Sequence, residues 1–520
     1  MNSLPGHLQQ MQKPEFYPHA VDQVQVIETH ISWLILTGPY VYKIKKNISL
    51  DFLDYSSLEN RKYFCQEEVR LNQRFAPNIY LEVTPIYQLD GELSLHPHGQ
   101  TIEYAVKMKQ FPPNSQLDQL ITKNELHPEH VSLLANNIAT IHQSLPSAPS
   151  ETAFGNSTTV LDAAIDNFST IAPLINAPKD LAQLQTLRDW TIKFVENNTG
   201  LFEERKLKGA IRECHGDLHL GNITMIDGSP VIFDCIEFND EFRSIDVISD
   251  IAFLVMDLYS HGKGNYARRL LNQYLEITGD YQGLKLLQFY LIYRAMVRCK
   301  VESIKLHQEN STQVERYQKY LNLALQFMCT NQPALLITHG LSGSGKTVVS
   351  QLLIEQSNTI RIRSDVERKR LHGLSNLASS NDEQKKIMYS DEATHRTYEH
   401  LATLCKDILS SHNSVIVDAT FLKKNARDFF AKLAIDNKVP FLIVHTEAPI
   451  ELLTKWIKER QACGNDASEA TIEVLKGQIS RQEPLTPCEV RNSITINTEH
   501  AVNGKQLLEK INTFINTSTN

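Results

Sequence analysis

Gly340-Leu341-Ser342-Gly343-Ser344-Gly345-Lys346-Thr347 follows the apolar run Ala334 to Thr338 and leads into a helical stretch from Val348 to Glu355. A strand, a glycine-rich turn and a helix in that order let successive backbone N–H groups turn inward, and the helix N-terminus adds its positive dipole. The spacing G-x-x-x-x-G-K-T makes this a phosphate-wrapping loop from Gly340 to Val348, with Lys346 reaching the β- and γ-phosphates and Thr347 ligating Mg²⁺. Four further apolar runs, Thr359 to Ile362, Val415 to Val417, Phe441 to Val444 and Ile494 to Ile496, alternate with helical stretches. Short apolar strands separated by helices are the pattern of a parallel sheet covered on both faces. Residues 330–520 are therefore expected to form an α/β domain with a parallel sheet of about five strands.

Ligands meet such sheets at the carboxyl ends of the strands. Thr359 to Ile362 runs into Arg363-Ser364-Asp365-Val366-Glu367-Arg368. There Asp365 can take a proton from an acceptor hydroxyl, and Arg368, one turn on, can hold a phosphate or acidic group of the substrate. Ser364 and Glu367 also have the S-x-x-E spacing of a capping box, so the same cluster can simply start a helix. Asp418 closes Val415-Ile416-Val417-Asp418, a position suited to a water-mediated Mg²⁺ contact, to an orienting role, or to a plain turn. The helix from Ile450 carries Lys455, Lys458 and Arg460 ahead of Gly464-Asn465-Asp466. That is the composition of a mobile lid bringing Arg460 over a transferring phosphoryl group; a solvated helix face is the alternative.

At 520 residues the chain is too long for one core, and two to four domains are expected. A hydrophobic content of 42% with 22% charged residues excludes collagen-like, low-complexity and disordered classes. The net charge of −8 disfavours a nonspecific grip on nucleic acid. The longest purely apolar run, Ile251 to Met256, falls far short of the roughly 20 residues that span a bilayer. Met1 to Ala20 lacks the basic start and apolar core of a signal peptide, and the eight cysteines are scattered without a C-x-x-C pair, as reduced thiols are. A cytoplasmic protein is expected. Thr330-Asn331-Gln332-Pro333 ends a long helical run, which places the domain boundary there and divides the chain into 1–329 and 330–520.

A second constellation, His215-Gly216-Asp217-Leu218-His219-Leu220-Gly221-Asn222, precedes the run Ile223 to Ile226, the turn Asp227-Gly228-Ser229 and Pro230 to Asp234. If Ile226 faces Pro230 across a three-residue turn, Asn222 faces Asp234, and an amide oxygen and a carboxylate share the hairpin mouth. Such ligands can hold Mg²⁺ bridging nucleotide phosphates, while Asp217 can orient or deprotonate an acceptor hydroxyl. A polar loop before a hairpin is the plainer alternative. In Val41-Tyr42-Lys43-Ile44-Lys45 the two lysines share one face, and either can reach phosphates. The following helix, about Leu58 to Phe75, sets Glu68 in the apolar stripe of Phe64, Leu71 and Phe75. An unpaired carboxylate is costly there, so an ion pair that positions Lys43 is the economical outcome. Asp246 and Asp250, one turn apart at a helix start, are expected to cap it, with support of the Asp217 loop as the second possibility.

Residues 334–520 resemble the small P-loop kinase group that includes polynucleotide kinase and zeta toxin, through GLSGSGKT, SDVERKRL and VDATF. The resemblance implies ATP-dependent phosphorylation of a hydroxyl, with Asp365 as base, Arg368 as substrate clamp and Arg460 as lid arginine. Residues from about 20 to 328 resemble the aminoglycoside phosphotransferase and choline kinase-like family, a branch of the protein-kinase-like fold, through VYKIKK, the helix with Glu68, HGDLHLGN and IFD. This second resemblance implies a β-rich small lobe and a helical large lobe with ATP between them, Asp217 as catalytic base, and Asn222 and Asp234 as metal ligands. The sequence departs from the family in lacking a clear glycine-rich phosphate loop near residues 24–40. Together the two resemblances cover nearly the whole chain, as in bacterial proteins that fuse the two domain types.

The expected activity is thus bifunctional: two phosphotransferase sites, each using ATP and Mg²⁺ to phosphorylate a small-molecule hydroxyl. A sugar, an amino sugar, a nucleoside or another metabolite fits either acceptor. The alternatives are a nucleotide-sensing regulator, and a toxin-like P-loop kinase restrained by the N-terminal domain.

Overall fold

The computed structural model describes residues 4–50, 53–329, 332–376, 378, 380–463 and 467–518. Thr330 and Asn331 of the expected boundary, and the Gly464-Asn465-Asp466 break after the expected lid helix, lie outside the described residues. The chain forms two compact units, Met1–His261 with Tyr293–Leu321, and Gly262–Ile292 with Asn322–Asn520. No helix among the described residues is long and apolar enough to cross a membrane.

The first unit begins with a small β lobe. Its strands are β1 (Gln25–Glu28), β2 (Ser32–Leu36), β3 (Tyr40–Lys45), the short hairpin β4 (Ser49–Leu50) and β5 (Leu53–Asp54), β6 (Tyr80–Leu89), β7 (Glu92–Ser94) and β8 (Gln100–Lys109). Six of them make an antiparallel sheet in the order β1-β2-β3-β8-β6-β7. Strand period decides what each face does. Tyr42 and Ile44 of β3 join Ile35, Ile86 and Ala105 on one face, which Leu4, Leu8, Met11 and Tyr17 of the N-terminal segment cover. Val41 faces the other way, with Val106 and Met108, against Cys65 of the helix Leu58–Asn72 and against Ala76 and Ile79. Lys43 and Lys45 lie on this second side, as the alternation requires.

The helical lobe contains Pro128–Ser144, Ser157–Ile171, Pro178–Leu207 and Val247–Ser260. The apolar run Ile251 to Met256 is buried throughout, the behaviour of a core helix hydrophobic on all sides. Short strands β9 (Ile211–Glu213), β10 (Ile223–Ile226), β11 (Ser229–Ile232) and β12 (Ser244–Asp246) pair as β9 with β12 and β10 with β11. The β10–β11 register differs by one from the expected one. Ile226 faces Ser229 and Ile223 faces Ile232, across a two-residue turn. Asp227 and Gly228 both take positive φ, 49° and 75°, so Asp-Gly forms the tight primed turn that matches strand twist, and Ser229 belongs to the strand. Asn222 consequently pairs through its backbone with Phe233, whose N–H donates to the Asn222 carbonyl at 2.9 Å, and Asp234 stands beyond the ladder.

The second unit holds the five expected strands, β13 (Leu335–His339), β14 (Thr359–Arg363), β15 (Ser414–Asp418), β16 (Phe441–Glu447) and β17 (Ser493–Asn497). All neighbours are parallel, in the order β14-β15-β13-β16-β17. Val349 and Leu353 of the helix Lys346–Gln356 and Leu507 and Ile511 of Gly504–Ser518 pack on Leu336, Ile416 and Leu442. The edge strand β14 is covered by the helix Gly264–Thr278. Asn272 accepts from the Arg361 N–H at 2.8 Å and donates to the Thr359 carbonyl at 3.3 Å, standing in for a missing strand. Glu276 pairs with Arg361 and Arg363 at 3.1 and 3.2 Å.

Candidate active sites

Lys43 is the pivot of the first site. Its Nζ lies 2.7 Å from Glu68 Oε1 and 2.6 Å from Asp234 Oδ1. The Glu68 pairing expected from the helix stripe is present, and Glu68 holds more than Lys43: its other oxygen binds Lys45 Nζ at 2.7 Å. Lys45 is itself sealed by Glu237 and the Tyr55 hydroxyl, so of the two lysines only Lys43 reaches the partly open Asp234 carboxylate. Burial pushes the Glu68 carboxyl up, but the two lysines more than reverse this and hold it well below the ordinary range. Lys43 is likewise lowered by burial and raised further by Asp234 and Glu68, with the net direction upward, so it keeps its proton.

Asp234 owes its place to the backbone. It sits at φ 64°, a conformation Asp tolerates better than most residues, and its N–H donates to the Tyr80 hydroxyl at 3.0 Å. The expected cross-strand facing with Asn222 is replaced by this turn out of the ladder. Asn222 Nδ2 donates to the Asp217 carbonyl at 3.0 Å and to Asp217 Oδ2 at 3.1 Å, which leaves its amide oxygen without a hydrogen bond among the described residues. His219 Nε2 lies 3.4 Å from Asp217 Oδ2. Burial raises the Asp217 carboxyl, yet His219, His215 and Arg298 outweigh it and leave Asp217 well below the usual carboxylate range.

The loop is held from beneath by Asp250, for which this support was the second possibility, and by Asp257 and Arg294, which the sequence did not single out. Asp250 accepts from the backbone N–H groups of His215 and Gly216 at 3.1 and 2.9 Å and meets His142 Nε2 at 3.1 Å. Asp257 accepts from Leu220 N–H at 3.0 Å, and Arg294 donates to the Gly216 carbonyl at 2.9 Å. Asp246 is the helix cap, accepting from Ile248 N–H, and is gripped by Arg205. The two acids thus divide the roles left open between them. Asp250, expected first as a cap, instead anchors the Asp217 loop, because the cap position is already taken four residues earlier.

In the second site, Gly345 takes φ 81° at the start of the helix Lys346–Gln356, and a Cβ on Gly340 would stand 2.5 Å from the Thr446 carbonyl oxygen. Only glycine suits either place. Thr347 Oγ1 donates to Asp418 Oδ2 at 2.8 Å, so the loop threonine and the strand-end acid meet. Burial lowers Lys346 to about 8, with Asp418 and Asp365 pulling it back up and Arg460 pressing it down. Asp365, Asp418 and Arg460 therefore all act on Lys346. Arg460 Nη2 donates to the Ala470 carbonyl at 3.3 Å, and its buried Nε has no partner. Arg368 stacks on the Tyr389 ring at 4.8 Å and donates to the Met388 carbonyl at 2.6 Å; its Nε too is buried and unpaired.

The capping box expected from Ser364 and Glu367 does not form. The strand passes directly into the helix Ser364–Leu371, which makes Arg363 the cap residue, with no side-chain capping bond. Glu367 is buried and drawn instead to Arg370 and His400, both at 3.1 Å. Asp365 has no hydrogen bond or ion pair among the described residues, which leaves its carboxylate free for a ligand. A histidine pair went unread in the sequence: His339, the last residue of β13, and its register partner His445 in β16 bring their Nδ1 atoms to 2.8 Å.

Lys346 gives a measurable signature. A bound polyphosphate stabilises the ammonium form and raises its pKa, so above pH 8 binding must take up a proton. The component of ADP binding that Lys346→Ala removes is expected to weaken by about tenfold per pH unit above about pH 8, with proton uptake visible in calorimetry across buffers of different ionisation enthalpy. Unchanged affinity from pH 7 to 9.5 would place Lys346 away from the phosphates.

Residues 62–287 match the phosphotransferase enzyme family and residues 335–485 match the AAA domain. An uncharacterised protein of Mycobacterium tuberculosis (strain ATCC 25618 / H37Rv) is 27% identical over 459 residues, 88% of this chain and 90% of its own length. Among solved structures, choline kinase from Cryptosporidium parvum is 12% identical, covering 59% of this chain and 88% of its own, with a TM-score of 0.37. Chaetomium thermophilum Kti12 in complex with ADP-AlF3 is 17% identical, covering 35% and 98%, with a TM-score of 0.27. The chain thus carries a segment that matches the phosphotransferase enzyme family, followed by one that matches the AAA domain.

Proposed function

We propose that this is a bifunctional ATP-dependent phosphotransferase, moving the γ-phosphoryl group to hydroxyls of small molecules at two separate sites in the domains 1–329 and 330–520. The observation that carries the reading is Lys43, bound at once to Glu68 at 2.7 Å and Asp234 at 2.6 Å. In the transfer, the acceptor hydroxyl oxygen bonds to the γ-phosphorus while the bridge to the β-phosphate breaks, ADP leaves, and the hydroxyl proton passes to Asp217. A carboxylate held as low as Asp217 is a weak base. It orients the hydroxyl first and accepts the proton late, which a loose transition state permits.

The donor set suits a hard cation. Lys43 and Lys45 face three carboxylates, Glu68, Glu237 and Asp234, leaving one negative charge unbalanced, and the available donors are oxygens. Asp234 and the Asn222 amide oxygen would hold Mg²⁺, which would neutralise charge on the β- and γ-phosphates. In the second domain, Thr347 and Asp418 supply the corresponding oxygens. Lys346, Arg368 and Arg460 supply cations for the phosphates and the substrate, and Asp365 is the proton acceptor.

Two substitutions in the full chain test the separation. Asp234→Asn is expected to weaken Mg²⁺-dependent ATP binding at one site by about tenfold or more without unfolding, since Asn tolerates the positive φ and Lys43 keeps Glu68. Lys346→Ala is expected to remove the other site and spare the first. Calorimetry should therefore show two classes of ATP site, lost one at a time; loss of all binding from either change would reduce the protein to one composite site.

A further inference from the structure

A cavity of about 530 Å³ opens beside Asp217, its wall including Asp118, His219, Gly221, Asp257, Arg298 and Lys319, with Lys123 at the rim. Part of its charge is already spent within the wall: Asp257 Oδ1 lies 3.9 Å from His261 Nε2 and acts electrostatically on Arg298. Asp257 already accepts from Leu220 N–H at 3.0 Å and from the Ser260 hydroxyl at 3.2 Å. Burial lowers the His261 pKa, with Lys319 and Arg298 adding to it and Asp257 opposing. His219 is committed to Asp217 at 3.4 Å. What remains is Arg298, which meets Tyr320 but keeps its Nε without a partner, with Lys123 and Lys319 at the exposed rim and the acid Asp118.

Two buried atoms in this wall lack partners, and they are opposite in kind: Arg298 Nε, a charged donor, and Asp118 Oδ1, a charged acceptor. Leaving either dry is costly, so a ligand that satisfies both gains binding energy. An oxyanion answers Arg298 and the rim lysines; a hydroxyl answers Asp118. Arg298 also acts electrostatically on Asp217, which sets the anion-binding wall next to the group that receives the acceptor's proton.

We propose that this cavity receives the acceptor of the N-terminal site, and that the acceptor is a polyhydroxylated molecule bearing a carboxylate or phosphate, not a polycation of the aminoglycoside kind. The proposal rests on the N-terminal phosphotransfer reading for the cavity's role, while its ligand chemistry can be measured without ATP. Lys123 and Lys319 draw the anion to the mouth, Arg298 fixes it through a charge-assisted pair, and Asp118 accepts from a neighbouring hydroxyl. A second hydroxyl of the same molecule is then presented to Asp217.

The test is equilibrium binding to the full chain carrying Lys346→Ala, so that the phosphate loop of the second domain does not contribute. The probes are ribose 5-phosphate, gluconate, neutral ribose and the polycation kanamycin. Ribose 5-phosphate or gluconate is expected to bind at least about tenfold more tightly than ribose or kanamycin, and the better of the two identifies the oxyanion. Arg298→Gln should cost the anionic probe about ten- to a hundredfold and bring it to the level of ribose, with Mg²⁺-ATP affinity at the Lys43 site unchanged. Should Arg298→Gln misfold, Lys319→Gln at the exposed rim must still weaken the anion and strengthen kanamycin. Equal or tighter binding of ribose or kanamycin, indifference to Arg298, or no binding of either anion would overturn the proposal. Anion binding that depends on Arg298, with no phosphoryl transfer to any bound probe, would count against the phosphotransfer reading instead.

Discussion

Asp217→Asn is expected to slow transfer at the N-terminal site by about 10² to 10⁴-fold while leaving ATP affinity within a few-fold. The amide keeps the shape that Asn222 Nδ2 binds, since its carbonyl oxygen can still accept, and the backbone anchors at Asp250 and Arg294 are untouched. On the proposed reading, what is lost is the charge that would hold the acceptor hydroxyl and take its proton. Asp365→Asn should do the same at the second site at little stability cost, because Asp365 has no hydrogen bond or ion pair among the described residues and only its charge in the first turn of the helix Ser364–Leu371 is lost, about 0.3–1 kcal/mol. Single-turnover transfer of labelled phosphate, measured for each variant in the full chain, separates the two sites. If Asp365→Asn keeps full transfer, the proton goes elsewhere and Asp418, beside Thr347, is the next acceptor to examine.

Glu68→Ala is expected to be the most destabilising of the substitutions considered, by about 3–5 kcal/mol, because it leaves two buried lysines short of one carboxylate at once. Lys43 retains Asp234, and Lys45 retains Glu237 and the Tyr55 hydroxyl, but each was built into a network of closed charge. Chemical denaturation gives the loss directly; a change under 1 kcal/mol would mean that water or rearrangement already shares the load. The pH dependence has a definite sign. Glu68 is held below its ordinary value in the folded protein, so its contribution is complete above about pH 4.5 and is lost as the pH falls toward the depressed folded value. Wild type should therefore lose stability on acidification faster than Glu68→Ala does. ATP binding in Glu68→Ala should also weaken, since Lys43 is then steered by Asp234 alone.

Much of this protein was legible along the chain, and for a local reason. The five parallel strands, the glycine-rich loop between β13 and its helix, and the pairing of Glu68 with Lys43 follow from hydrophobic period, backbone conformation and the cost of burying an unpaired charge. Each of these acts over a few residues or along one helix face. The errors were local too, and show where such rules stop. The β10–β11 register depended on whether Ser229 counts as turn or strand, and the conformations of Asp227 and Gly228 made it strand. The Ser364–Glu367 box had correct spacing, but Glu367 found Arg370 and His400, a choice that spacing cannot weigh.

Sequence alone therefore determined that the chain carries one glycine-rich phosphate-type loop and a separate HGDLHLGN motif, in which order, and which residues of each motif bear charge. Tertiary structure decided which charges meet. Lys45 and Glu237 are 192 positions apart, Asp250 supports a turn 34 residues before it, and Asn272 completes a strand edge 89 residues ahead. Arg298 faces a cavity beside Asp217 that no stretch of sequence encloses. Such pairings leave no periodic trace, because a buried charge selects its partner by distance in a low-dielectric interior, and that distance exists only once the chain has folded.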